Sequence, residues 1–174
     1  LTAGAEDVAI DLLAGRGDIL NTNSSAAITA VGTVQMQAQA GNIGNAATIA
    51  SGTGADVLLT ADGNIVNSGA IGSGRLVRFA AGSNISNTAA ITAVDSITMT
   101  VGNDINNSDM LTAGSSVILT AGNDIGNTAA ITAAEAITME GASDITSNGT
   151  LTAVKDVQLI ADGGNINIDD GGTV

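Results

Sequence analysis

The chain repeats itself about every twenty residues, and this period restricts the fold more than any other feature of the sequence. The segments Ile91-Thr-Ala-Val-Asp-Ser-Ile-Thr-Met-Thr and Ile131-Thr-Ala-Ala-Glu-Ala-Ile-Thr-Met-Glu lie forty residues apart, and related segments lie between and after them. We place the starts of eight units at Leu1, Ile28, Ile49, Ile71, Ile91, Leu111, Ile131 and Leu151. Short periods of this kind are typical of solenoids, in which each unit is stabilised by stacking on its neighbours.

Aligning the units gives three apolar columns, of which the unit starts form the first. The second column is Val8, Val34, Val57, Val77, Ile97, Val117, Ile137 and Val157, followed two positions later by Ile10, Met36, Leu59, Phe79, Met99, Leu119, Met139 and Leu159. The third column is Ile19, Ile43, Ile65, Ile85, Ile105, Ile125, Ile145 and Ile166. Apolar residues at a spacing of two indicate strands with one buried face. Gly, Asn, Asp and Ser between these segments favour turns.

Three strands of this length cannot form a stable sheet within one unit, so we expect like strands of successive units to pair. The sequence therefore predicts an all-β fold in which residues 1–174 form a single parallel β-helix. It would have about eight coils of ~20 residues with three short strands each, and a length of roughly 40 Å at ~4.8 Å per coil.

One polar column follows the third apolar column at a spacing of two residues. It consists of Asn21, Asn45, Asn67, Asn87, Asn107 and Asn127, and Ser147 ends the series. Because these asparagines keep the inward parity of the preceding isoleucines, we predict a ladder in which their amides bond to the coils above and below. The alternative is that Asn is present only for its turn propensity.

The composition argues against most catalytic and nucleic-acid-binding functions. The chain has no Cys and no His, so it lacks a disulfide, a thiolate nucleophile and an imidazole base. Phe79 is the single aromatic residue, which leaves no platform for stacking sugars or bases. Four Lys and Arg stand against seventeen Asp and Glu, and the net charge of −13 opposes binding to a phosphate backbone. We expect no enzyme activity, no cofactor and no nucleic-acid partner.

The columns resemble the haemagglutinin repeats of filamentous haemagglutinin-type adhesins, large exoproteins that Gram-negative bacteria export by two-partner secretion. The segment Leu111-Thr-Ala-Gly-Ser-Ser-Val-Ile-Leu-Thr-Ala-Gly-Asn-Asp-Ile-Gly-Asn carries the repeat pattern over seventeen positions. The resemblance covers all eight units, although the first three units and Gly141-Ala-Ser-Asp-Ile-Thr-Ser depart from the pattern. It implies a right-handed parallel β-helix that forms an extracellular stalk.

Two sets of residues are candidate binding sites. Arg16, Gly17 and Asp18 form a tripeptide that integrin receptors read on exposed loops, where the carboxylate completes a metal site on the receptor; the alternative is an ordinary corner with one added residue. Asp169 and Asp170 belong to the densest acidic cluster and are weak calcium candidates, because carboxylates are calcium ligands. The alternative is that they are solvated acids that keep the rod soluble.

The repeat and the resemblance lead to the hypothesis of a non-enzymatic stalk segment from a large secreted adhesin at the bacterial cell surface. The alternative is a subunit of a self-assembling extracellular fibre, whose end coils would pair with further copies. The partners would be neighbouring repeats or copies, together with receptors on host or neighbouring cells. No apolar run approaches the ~18 residues of a membrane span. Because the chain begins and ends inside the pattern, we interpret it as part of a longer protein.

Overall fold

Each turn of the chain contributes one strand to each of three parallel sheets. The computed structural model describes residues 1–3 and 8–169, which contain strands, turns and bends but no helix. Every strand pairs with the equivalent strand of each adjacent coil, so that each sheet has eight strands with those of coils 1 and 8 at its edges. The predicted all-β solenoid of about eight coils with three strands per coil is confirmed.

We call the sheets A, B and C in the order in which a coil visits them. Sheet A contains β1 (Thr2–Ala3), β4 (Ile28–Ala30), β7 (Ile49–Thr53), β10 (Ile71–Gly74), β13 (Ile91–Ala93), β16 (Leu111–Ala113), β19 (Ile131–Ala133) and β22 (Leu151–Ala153). Sheet B contains β2 (Ile10–Ala14), β5 (Val34–Ala38), β8 (Val57–Ala61), β11 (Val77–Ala81), β14 (Ile97–Val101), β17 (Val117–Ala121), β20 (Ala136–Gly141) and β23 (Asp156–Ala161). Sheet C contains β3 (Ile19–Asn21), β6 (Ile43–Asn45), β9 (Ile65–Asn67), β12 (Ile85–Asn87), β15 (Ile105–Asn107), β18 (Ile125–Asn127), β21 (Ile145–Ser147) and β24 (Ile166–Ile168). Coil 1 holds β1–β3, and the numbering continues to coil 8 with β22–β24.

The core is a narrow stack of side chains from the inner faces of the three sheets. Alternation along each strand places every second residue inside, as in β14, where Ile97, Met99 and Val101 are buried. Phe79 is fully buried in the column between Leu59 and Met99, its partners in the adjacent coils. One aromatic ring fits because the same column accepts Leu and Met in its neighbours, side chains of similar reach.

The predicted register of coil 1 is wrong by two residues. In β2, Ile10 pairs with Val34 and Leu12 pairs with Met36, whereas the alignment placed Val8 and Ile10 in those columns. Ile10 is 6% exposed and Val8 is 41% exposed. A shift of two keeps every side chain on the same face of the strand, so alternation alone cannot distinguish the two registers.

Sheet A has one irregular contact, between coils 3 and 4. The register of β7 against β10 shifts between Gly72 and Gly74. The chain following β7 turns through Gly54, whose φ of 75° lies in the left-handed region that favours glycine. We call residues 51–56 and 73–76 the coil 3–4 corner.

Candidate functional site

The asparagine column forms a continuous hydrogen-bonded row inside the solenoid, which we call the inner ladder. Each Nδ2 donates to the Oδ1 of the next asparagine at 2.7–2.8 Å, along the series Asn21, Asn45, Asn67, Asn87, Asn107 and Asn127. Asn127 then donates to the Oγ of Ser147 at 3.2 Å. Asn21 is half-buried, and the other members are at most 2% exposed.

Several ladder residues also bond to the backbone of their own coil. Asn45, Asn87 and Asn127 each donate Nδ2 to the carbonyl oxygen two residues later at 2.8 Å. The Oγ of Ser147 contacts the Gly149 carbonyl oxygen at 3.3 Å in the same way. Coils 2, 4, 6 and 7 therefore hold their C-to-A corners with the same side chains that take part in the inner ladder. No buried side-chain nitrogen or oxygen of the described residues is without a hydrogen-bond partner.

A second row, the outer ladder, lies at the corner that precedes sheet C. Its members are Asp18, Asn42, Asn64, Asn84, Asp104, Asp124, Asp144 and Asn165. The Oδ1 of each of the first seven accepts the backbone N–H of the next member at 2.7–3.2 Å. The sequence reasoning missed this row, because Asn and Asp at corners are also expected from turn propensity alone. Their strict position, one residue before each isoleucine of the third column, is the signal that could have revealed it.

The asparagine and aspartate members of the outer ladder are not equivalent. Asn42, Asn64 and Asn84 add a second bond from Nδ2 to the preceding Oδ1, at 3.0–3.1 Å. Aspartate has no such donor. At Asp124 the missing donor is replaced by Asn123, whose Nδ2 donates to the Asp104 Oδ1 at 2.8 Å and contacts the Asp124 Oδ2 at 3.4 Å.

The tripeptide of Arg16, Gly17 and Asp18 lies on the exposed B-to-C corner of coil 1. Gly17 has a φ of 103° and open space around its Cα, so the turn projects outward. Asp18 begins the outer ladder, and its Oδ1 accepts the backbone N–H of Asn42 at 2.7 Å. The structure thus assigns one carboxylate oxygen to the ladder. Both ends of the tripeptide are accessible.

The acidic candidates for calcium are not assembled into a site within the described part of the chain. Asp169 is exposed at the end of coil 8, where its backbone N–H donates to the Ser147 carbonyl oxygen at 3.3 Å. Asp170 lies outside the described residues. Among residues 1–3 and 8–169, no three Asp or Glu side chains converge as metal ligands.

An ion pair between the buried Asp56 and the half-exposed Arg75 links coils 3 and 4, and the sequence reasoning did not identify it. Asp56 is 8% exposed, and its Oδ1 accepts a hydrogen bond from the Nε of Arg75 at 2.6 Å, while Oδ2 contacts Nη2. The Leu76 N–H adds a contact to Oδ1 at 3.3 Å. The Arg75 hydrogen bond holds the pKa of Asp56 below its ordinary value, although burial acts in the opposite direction.

An exposed ion pair lies at the equivalent A-to-B corner of coils 7 and 8. The Nζ of Lys155 donates to the Oε1 of Glu135 at 2.8 Å, and the Oγ of Ser115 contacts Oε2 at 3.3 Å. The hydrogen bond from Lys155 lowers the pKa of Glu135, and the same bond raises the pKa of Lys155. Since both side chains are about half exposed, this pair contributes little to stability.

The outer surface is mainly acidic and carries small side chains. The B-to-C corners alone place Asp18, Asp62, Asp104, Asp124, Asp144 and Asp162 along one edge of the rod, with Arg16 as the one described cation there. A shallow groove crosses the ends of β8, β11 and β14, and Thr60, Ala80 and Thr100 are among its lining residues. This groove brings no acid, base or nucleophile pair together.

Comparison with known proteins adds no family to these observations. No described segment is a helix long and apolar enough to cross a bilayer. No protein-family model, curated protein or solved structure matches the chain.

Proposed function

We propose that this chain is a non-enzymatic stalk segment of a large secreted bacterial surface adhesin. The observation that carries the proposal is the unbroken inner ladder, which runs from Asn21 to Ser147 through seven coils. A stalk must transmit force along one axis. Parallel backbone ladders in three sheets, together with a side-chain ladder in the core, connect each coil to the next in the same way.

The distribution of charge supports this role. Rods with a repetitive backbone would associate side by side if their faces were flat and neutral. The acidic edge at the B-to-C corners gives neighbouring rods the same sign of charge, and the chain carries a net charge of −13. Like charge on exposed surfaces opposes aggregation. The resemblance to haemagglutinin repeats supplies the extracellular location at the bacterial surface.

The proposal is tested with beads coated with the purified chain and presented to host cells. A stalk without its own receptor site gives beads that bind no better than uncoated beads. A lengthened chain, with residues 91–130 duplicated, should give a longer rod in electron microscopy and the same low binding.

The tripeptide of coil 1 defines the outcome that would contradict a purely structural role. If coated beads bind cells, and if the variants Asp18→Ala and Arg16→Ala each abolish this binding, the chain has a recognition site at that corner. The matched control is Asp11→Ala, which removes an exposed acid from the neighbouring strand β2 and leaves the corner intact.

The second candidate is a fibre subunit, in which the apolar surface of coil 8 would pair with another copy. Ile166 and Ile168 are 45% and 38% exposed, whereas Ile145, the equivalent of Ile166 in coil 7, is fully buried. A further coil would cover them, either from the same protein or from another copy. Sedimentation velocity at increasing concentration separates the two. A single monomeric rod supports the stalk, and filaments with a subunit-length repeat support the fibre.

A further inference from the structure

The contact between coils 3 and 4 is irregular on one face only. In sheet A the register shifts between Gly72 and Gly74, and residues 52–54 and 72–74 contain four glycines. Sheets B and C cross the same contact without a shift, with Val57 opposite Val77 and Ile65 opposite Ile85. The irregularity is therefore confined to the A-to-B side of the solenoid.

Hydroxyl groups replace apolar packing at this corner. Ser51 and Ser73 lie in the column that holds Ala in the regular coils, such as Ala93 and Ala113. Their hydroxyl groups contact each other at 3.2 Å, and both bond to the Ala55 carbonyl oxygen at 2.9 Å. Buried hydroxyls contribute less to stability than methyl groups in a dry core, because they exchange water for protein hydrogen bonds.

The Asp56–Arg75 pair is the strongest side-chain link across this corner. Its groups come from opposite sides of the contact, with Asp56 in coil 3 and Arg75 in coil 4. The charged group facing it from coil 5 is Asp95, whose N–H donates to the Arg75 carbonyl oxygen at 2.7 Å. On the coil 2 side, the neutral Thr33 accepts the Asp56 N–H at 3.4 Å.

We propose that the coil 3–4 corner is a local opening point in the solenoid, held closed by the Asp56–Arg75 pair. In the open form, residues 52–56 and 74–76 separate while sheets B and C stay paired. Opening on one of three faces lets the rod bend at this level. In coils 5–8 of the described structure, the A-to-B corners instead combine an unshifted register with alanine packing.

Hydrogen exchange measured by mass spectrometry tests the proposal on the whole chain. The amides of residues 52–56 and 74–76 should exchange at least about tenfold faster than those of the equivalent corner at 113–116, because the shifted register and the four glycines weaken the pairing of the two coils there. Equal protection at the two corners would overturn the proposal.

The role of the ion pair is tested by Asp56→Ala. The matched control is Glu135→Ala, which breaks the exposed Glu135–Lys155 pair at the equivalent corner of coils 7 and 8. Asp56→Ala should increase exchange about another tenfold at the coil 3–4 corner and leave residues 113–116 unchanged, because a charge-assisted hydrogen bond is lost. Glu135→Ala removes an exposed contact to Ser115, so it should leave exchange at the coil 3–4 corner unchanged. If Asp56→Ala increased amide exchange evenly over all coils, the ion pair would stabilise the fold as a whole, and this result would contradict a local opening.

Trypsin gives a second readout that does not depend on amide exchange. Arg75 lies in the corner, whereas Arg78 lies inside β11, which is paired on both sides. Local opening gives early cleavage after Arg75 without cleavage after Arg78, and Asp56→Ala accelerates only the first. Simultaneous cleavage at both sites in the variant would show global unfolding and refute the opening point.

Discussion

The asparagines of the inner ladder show how a polar residue is accommodated in an apolar core. A buried amide without partners costs free energy, but here each Nδ2 donates to the following coil and each Oδ1 accepts from the preceding one. Removing one member leaves one donor of the preceding amide and the acceptor of the following amide unsatisfied. The cost of a substitution is therefore larger than the value of the bonds that it removes.

We predict that Asn107→Ala lowers the free energy of unfolding by about 3 kcal/mol, because it leaves an Asn87 donor and an Asn127 acceptor unsatisfied in the core. Urea unfolding followed by circular dichroism measures the change. The control is Asn106→Ala, in the same strand but exposed, which should alter stability by less than about 0.5 kcal/mol. Equal effects of the two variants would show that the ladder bonds of Asn107 do not stabilise the fold.

The Asp56 carboxylate makes stability depend on pH in the acid range. Because Arg75 lowers the pKa of Asp56 in the folded state, the carboxylate contributes stability above its ordinary pKa of 3.8, and this contribution is lost as the pH falls through the lower folded value. Asp56→Asn should therefore be less stable than the natural chain at pH 7, by about 1 kcal/mol once solvent screening at half-exposed Arg75 is allowed for.

The difference between the two chains should disappear when the pH is taken well below 3.8, where Asp56 is protonated in both states. Urea midpoints at neutral and strongly acid pH give the comparison. A difference that stays constant with pH would show that the charge of Asp56 is not what stabilises the corner.

At the scale of secondary-structure elements, the three columns of strands could be predicted because each repeats one residue type at one position. The outer ladder could not be predicted, since residues such as Asn84 and Asp104 at corners are expected for a turn as well as for a ladder. The register of β2 was predicted wrongly because a shift of two residues preserves the alternation of buried and exposed side chains. The ion pair of Asp56 and Arg75 was not predicted because it spans a corner whose length differs from that of the regular repeat.

The aspartates of the outer ladder are suboptimal, and we predict that Asp144→Asn stabilises the chain by about 1 kcal/mol. The new Nδ2 would donate to the Asp124 Oδ1, as Asn64 does to Asn42 at 3.1 Å. The Oδ1 of residue 144 would still accept the Asn165 N–H. Thermal and urea unfolding measure the gain. Asp11→Asn, which removes an exposed charge without adding a ladder bond, controls for the change in net charge.

At the scale of the whole molecule, the fold is a stack whose length is set by the number of coils. The contacts that stabilise one coil are made almost entirely by its two neighbours, as the strand order of each sheet shows. Coils 5 and 7 have the same residue types at most equivalent core positions, including Ile91 with Ile131 and Met99 with Met139, and differ where Gly141 stands for Val101 and Ser147 for Asn107. Removing the two coils between these equivalent positions should therefore leave a continuous core.

Deletion of residues 91–130 is expected to give a folded rod that is shorter by about 10 Å, at ~4.8 Å per coil. Small-angle scattering measures the length, and circular dichroism the retained strand content. Deletion of residues 91–120 removes fewer residues but leaves two sheet C segments in succession, so that variant should not fold. If both deletion variants fold equally well, the fold does not require that whole coils follow one another in the order of sheets A, B and C.

The two side-chain ladders have opposite polarity. Along the inner ladder each amide donates toward the following coil, from Asn87 to Asn107. Along the outer ladder each N–H donates toward the preceding coil, as Asn64 does to Asn42. The amide dipoles of the inner ladder therefore point in the opposite direction to the N–H dipoles of the outer ladder. The solenoid can lengthen coil by coil without these two rows building a dipole that grows with its length.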